Sequence, residues 1–340
     1  MSVRLCILVG SFLPSATAAQ TIYASPSGAG DGQSARSPVS FVALVARAER
    51  REPLSVVYLL PGIYRLHRPL IITGKSRPVT WQALNPHTAV FDGGGKTAIA
   101  ILVKKSANVT VRGLDIRNFA DEGIRIDNSR GTRIIDNHIT NISSSGWSRG
   151  AIHGGSVAPD TIVTGNRIEN TGYAGIIFDT DPAGDLSNIM IQGNYLAQTC
   201  RIKDDCGAIY VNGRSKRSSG MVITKNTIKD FGTSGNQSKA LYLDDWISNA
   251  VVTENTVIGE GSYAIQIHGG HGNTIRANRF DVTGDFLLYQ SNYKDGYRAM
   301  DDNIIDNNAS NTFSVKIRGQ PSAPPLIRRG RMRPSGWLRG

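Results

Sequence analysis

The chain has 340 residues, 40% of them hydrophobic, 19% charged and 7% aromatic, with 37 Gly. That balance excludes a disordered chain and a coiled coil, and it fits strands and tight turns better than helices. The formal net charge is +11, but the stretch from Arg318 to Gly340 alone holds six Arg and no acid; the mildly basic body does not mark a nucleic-acid-binding domain.

Residues 1–19 read as a secretory signal. Arg4 supplies the positive start, Leu5 to Leu13 the apolar stretch, and Ala16-Thr17-Ala18 the cleavage site. The expected location is secreted or periplasmic. The apolar stretch is too short to cross a bilayer, and no later segment reaches about 18 apolar residues, so no membrane span is expected. Cleavage removes Cys6 and leaves Cys200 and Cys206, an even pair in an oxidising compartment. A disulfide closing the loop Arg201-Ile202-Lys203-Asp204-Asp205 is expected. Two thiolates without a suitably spaced His do not make a zinc site. Ser40 to Arg51 is apolar at helical spacing and stops before Pro53, which suits an end plug. Val56 to Leu60 is a first strand, stopped by Pro61-Gly62.

From there the chain repeats. Short β-branched runs lead to an Asn at 137, 166, 194, 226, 255 and 278, with a degenerate copy at Ile304-Ile305-Asp306-Asn307. The spacings are 29, 28, 32, 29, 23 and 29 residues; an earlier copy has Leu114 in the Asn slot, 23 residues before Asn137. Each unit holds two or three short strands. It cannot bury its inner face alone, but stacked coils build one continuous core. The expectation is an all-β parallel solenoid over residues 20–317 with an N-terminal capping helix. Asn tolerates a left-handed bend, so each repeated Asn is expected to form a corner between strands and to bond its equivalents along the stack. The repeat fades after Asn311, and residues 318–340, rich in Pro and Arg, are expected to be a disordered tail. It is expected to be solvated, with an anionic polymer or surface as the alternative partner.

These coils resemble the right-handed parallel β-helix proteins of the pectate-lyase-like superfamily, over roughly Tyr23 to Asn308. Thr21 to Gly32 is similar to the entry segment of secreted members, and Tyr58 to Arg65 to their first coil. Asp205-Cys206-Gly207-Ala208-Ile209-Tyr210 and Leu241-Tyr242-Leu243-Asp244-Asp245 resemble motifs of the glycoside hydrolase branch, which uses acids on adjacent coils. The resemblance implies a right-handed helix and a polysaccharide or oligosaccharide partner.

A second strand aligns independently in each coil. Its copies start at Gly123, Ala151, Gly175, Ala208, Ala240, Ala264 and Phe286. Side chains alternate faces, so the third and fifth residues of each copy point outward, stacked about 4.8 Å apart. One outward column reads Arg125, His153, Ile177, Tyr210, Tyr242, Gln266, Leu288. The other reads Asp127, Gly155, Asp179, Asn212, Asp244, His268, Gln290. Carboxylates, imidazoles and phenols carry proton-transfer chemistry, which a merely solvated face does not collect.

Glycoside hydrolysis needs two carboxyl groups. Asp205 and Asp244 are the first pair, with Asp245 and Asp179 in reserve; the division of roles depends on burial. His268 and His153 are candidates to transfer a proton or position a hydroxyl. Tyr210, Tyr242 and Trp246 are candidates for sugar contacts. The alternative is a lyase or epimerase on uronic-acid polymers, with Lys239, Tyr242 or His268 as base and Arg125, Arg214 or Lys216 to neutralise the uronate. A third reading is a non-catalytic surface or glycan-binding protein. Under every reading a monomer is expected. No cofactor is expected. Asp179 to Asp185 has the flavour of a calcium loop, but Met190 stands where a twelfth-position Glu would be needed, so a plain turn is the better reading.

Overall fold

A computed structural model describes residues 20–329 apart from 75–76, 145, 216, 234–236 and 292–299. The predicted leader, residues 330–340 and Lys216 therefore lie outside the described residues.

The chain winds into a parallel solenoid. Among the described residues, ten strands stack into one flank, and two further rows of strands join into a 22-stranded sheet. The core follows from the β-branched repeat. Ile134, Val163, Ile191, Ile223, Val252, Ile275 and Ile305 pair from coil to coil in one register. All are buried, each contributing roughly 2 kcal/mol of apolar burial.

The repeated Asn bonds its equivalents, but it does not take the bend. Asn137, Asn166, Asn194, Asn226, Asn255 and Asn278 each accept, on the side-chain oxygen, the backbone N–H of the preceding unit. The last rung is Asn308 and not Asn307. Each amide nitrogen donates to a carbonyl inside the core, as Asn194 does to Val163 at 2.9 Å. The left-handed backbone belongs to the residue before: Asp136, Gly165, Gly193, Lys225, Glu254, Ala277 and Asn307 all have φ between 51° and 67°. The bend turns the chain, and the following Asn reaches inward to satisfy the backbone groups that the corner leaves unpaired.

At the N-terminal end the helix Phe41–Glu49 is capped by Ser40, whose hydroxyl accepts the Ala43 N–H. Leu44 and Ala48 are buried beneath it, and Phe41 packs edge-on to Tyr64 and Phe91. The helix thus covers the first coil.

At the other end, strands continue past the last Asn rung. Val315–Gly319 adds in parallel to Asp285–Ser291, and Leu326–Arg329 adds to Ile304–Ser310. The last coil presents a row of backbone donors and acceptors that an extended segment can pair. Val315–Gly319 is exposed throughout, so it carries no core-facing repeat for a sequence pattern to reveal.

Candidate active site

The ten-stranded flank carries the outward columns. Arg125, His153, Ile177, Tyr210, Tyr242, Gln266 and Leu288 stand in one register across seven strands. Most of the column is nonetheless buried: Tyr210 is 6% exposed and Tyr242 3%. A second apolar cluster covers it, made of Tyr173, Ala174, Ile177, Cys200, Cys206, Tyr210 and Tyr242. Cys200 and Cys206 form a disulfide, which folds the intervening loop back over the tyrosines. The Tyr173 hydroxyl donates to the Asp205 carbonyl at 2.9 Å.

Asp244, at the end of Lys239–Asp244, is the centre of the polar groups. The Tyr210 hydroxyl donates to Oδ2 at 2.6 Å. His268 Nδ1 lies 2.6 Å from Oδ1, and the Asp245 N–H donates to the same oxygen at 2.8 Å. An ionised carboxylate is an acceptor only, and donors meet both of its oxygens here. A proton on His268 Nδ1 would be donated to Asp244, and the Nε2 atom is buried. Burial first, then the negative charge of Asp244, pushes the Tyr210 and Tyr242 hydroxyls well above their ordinary range. Tyr173 is raised by burial and then by Asp205 and Asp244. All three phenols stay protonated.

Lys239 starts the same strand. Its side chain is 2% exposed, its ammonium lies 2.6 Å from Asp205 Oδ1, and it stands 4.4 Å over the Tyr242 ring. Tyr242 in turn stacks on Tyr210 at 4.6 Å. Arg214 bonds Asp245 Oδ2 at 2.8 Å, and that bond, against the opposing pull of burial, raises the guanidinium further.

His153 and Asp179 form a separate knot. His153 Nδ1 lies 2.5 Å from Glu122 and Nε2 lies 2.8 Å from Asp179. Both nitrogens face carboxylates. Burial opposes charging, but the bonds to Asp179 and Glu122 outweigh it and raise the imidazole above its ordinary value. Asp179 is pulled up by burial and pushed down further by His153, with a net lowering. His153 is 2% exposed and held between the two carboxylates.

The structure thus brings Asp205, Asp244, Asp245, His268, Tyr210, Tyr242 and Lys239 together. It leaves Arg125 four coils from Lys239, about 19 Å along the axis, paired with Glu122 at 3.5 Å. Trp246 follows the end of the strand Lys239–Asp244. It has φ of 74°, and it lines a small cavity with Thr180, Gly213 and Arg217. Asp181 and Asp185 accept the N–H groups of Ala183 and Ser187, as turn acids do. Asp244, Asp245 and His268 each offer an atom within 4.8 Å of the others. A cation there would compete with Arg214 for Asp245 and with Tyr210 for Asp244.

Sequence reasoning missed Glu122 and Tyr173. Glu122 sits one residue before the aligned copies, in a third outward column with Lys239, Tyr263 and Asp285; a window one residue longer reveals it. Tyr173 lies between strands, where no periodicity points.

A family described as "Right handed beta helix region" matches residues 90–196. No curated protein sequence matches at a significant level. Among solved structures, an alginate lyase from Paenibacillus sp. str. FPU-7 is similar at TM-score 0.62 and 14% identity, covering 89% of this chain and 99% of that one. The pectate lyase Pel9A is similar at TM-score 0.56 and 16% identity, covering 78% and 76%. ORF18 of Geobacillus virus E2 is similar at TM-score 0.64 and 11% identity, covering 91% and 61%. Likeness at this identity establishes the fold alone, a right-handed parallel β-helix.

Proposed function

We propose that this protein is an exported carbohydrate-active enzyme that cuts glycosidic bonds of a polysaccharide on the ten-stranded flank, by β-elimination at a uronic-acid residue. One observation carries the reading. Asp244 holds a phenol on one oxygen and an imidazole on the other, so a proton donor and a base stand on a single carboxylate, with the buried Lys239 ammonium over the neighbouring Tyr242 ring.

The chemistry assigns each group a task. Neutralising the uronate carboxylate acidifies the neighbouring C–H; Lys239 and Arg214 are the nearby cations. His268, oriented by Asp244, is the group proposed to take that proton. The electron pair forms the C4–C5 double bond and expels the glycosidic oxygen, which takes a proton from the Tyr210 or Tyr242 hydroxyl. The raised tyrosines suit donation, not base catalysis. The disulfide supports an oxidising compartment, and two of the similar structures are named lyases, of alginate and of pectate.

Hydrolysis by Asp205 and Asp244 is the second reading, favoured by the 59% exposure of the Asp205 side chain. It needs one carboxyl kept protonated. Asp205 faces a cation and Asp244 is ringed by donors, so neither is placed to give up a proton.

The test incubates the purified protein with alginate, polygalacturonate and neutral glucans, following reducing ends and ultraviolet absorbance together. Reducing ends that rise with absorbance, and vanish in His268→Ala, are the expected result. Reducing ends without absorbance establish hydrolysis instead. A folded protein that produces neither signal with any of these polymers overturns the uronate reading.

A further inference from the structure

The site face does not end at Tyr173. Trp147, on the segment joining the strands His138–Ile142 and Gly150–Gly155, lies 5.9 Å from the Tyr173 ring at 85°. Tyr173 lies 6.2 Å from Tyr210, and Tyr210 lies 4.6 Å from Tyr242. Four aromatic rings thus form a file running along the solenoid axis. Its inner members are buried, while Trp147 is 57% exposed. The Lys203 ammonium stands 5.1 Å over the indole.

Two different coils build this pair. The segment carrying Trp147 is anchored by Arg149, which bonds Asp121 at 2.8 Å. Lys203 belongs to the disulfide loop, and its N–H donates to the Gly172 carbonyl at 3.2 Å. The loop that carries Asp205 to Lys239 therefore also carries Lys203 to Trp147.

We propose that Trp147 and Lys203 form an outer sugar-binding subsite that takes an acidic residue of the polymer, about three coils from the cleavage point. The inference rests on the reading of the flank as a polysaccharide site and extends it to a defined distant contact. An exposed indole offers a flat apolar face to the C–H side of a pyranose ring, and the adjacent ammonium selects for a carboxylate on that sugar. The strands starting at Gly150 and Lys239 are three coils apart, about 14 Å. A pyranose repeat is close to the coil spacing, so a polymer lying along the axis reaches Trp147 only when it extends about three residues beyond Asp244. The subsite therefore distinguishes long acidic chains from short ones and from neutral ones.

The test measures binding by calorimetry, in the His268→Ala background to prevent turnover. The probes are acidic oligomers of two and six residues from alginate and polygalacturonate, and a neutral glucan hexamer. The expected result is that Trp147→Ala and Lys203→Gln each weaken the acidic hexamer about tenfold and leave the dimer unchanged. Trp147→Phe should recover most of the loss, and Lys203→Gln should flatten the salt dependence. Equal hexamer affinity in all proteins overturns the subsite, as does an equal loss for the dimer. A Trp147-dependent loss for the neutral hexamer that matches the acidic one overturns the acidic assignment. An acidic hexamer held through Trp147 by a protein that cleaves nothing upholds the subsite and sinks the lyase reading alone.

Discussion

The Asn corner and the ten-stranded flank are built from the same coils, yet they treat polar groups in opposite ways. Along the corner, each coil places the same residue type at the same depth. Asn166, Asn194 and Asn226 have the same partners, one coil removed. Along the flank, one register position holds His153, Ile177, Tyr210, Tyr242 and Gln266 in turn. The corner repeats because every turn leaves the same backbone groups unpaired. The flank varies because no backbone requirement dictates its outward residue. Its buried Lys239, Asp244 and His153 carry a desolvation cost that packing does not explain.

Breaking the corner should have the largest effect on stability. Asn194→Leu removes the acceptor of the Asn166 N–H and the donor to Val163, leaving buried groups unpaired. A loss of about 3–5 kcal/mol is expected, read from the denaturant midpoint. A loss below about 1 kcal/mol would show that the rungs are not needed. On the flank the comparison inverts. Asp244→Asn keeps shape and most packing but removes the anion that orients His268 and Tyr210. Turnover should fall about 100-fold or more, with the circular dichroism spectrum unchanged; retained turnover would remove Asp244 from the mechanism.

The pH dependence separates the knot around His153 from both. His153 is raised from 6.5, so its contribution is full below that value and is lost as pH rises through the folded value. Asp179 is lowered from 3.8, so its contribution is present above that value and is lost as pH falls through the folded one. The knot is therefore most stabilising between the two ordinary values. His153→Gln should lower the melting temperature most in that window and less at either side; a uniform difference across pH would contradict the charged imidazole. The smallest effects come from the bends. At Gly193, φ is 63° and an added Cβ would meet nothing within 4 Å, so Gly193→Ala isolates backbone strain at about 1 kcal/mol. Ala277, at φ 55° in the equivalent slot, should gain a similar amount as Gly.

Much of the fold was legible because period and alternation are properties of the chain itself. The Asn spacing located the coils, and the pairing of inward and outward residues set the columns on the flank. The bend was assigned one residue too late, since Asp136, Lys225, Glu254 and Ala277 share no side-chain feature that marks a left-handed backbone. In the last unit Asn307 takes the bend and Asn308 the rung; two adjacent Asn give the sequence no means of telling the two roles apart. Asp244, His268, Tyr210 and Tyr242 could be placed on one flank by strand register, whereas Lys239 lies one residue before its aligned copy. Glu122 fell just outside the aligned window.

What the sequence determined by itself is the solenoid: its stacking direction, its inward columns and the residues that line one flank, all of which follow from local periodicity. Only the tertiary structure decided which outward residues are buried, which carboxylates are paired and which histidine is held on both nitrogens. His153 and His268 look alike in sequence, but one is clamped between Glu122 and Asp179 while the other meets Asp244 through Nδ1, with Asp245 close by. That difference is electrostatic, and it arises from loops and neighbouring coils brought together by folding, at sequence distances no repeat encodes.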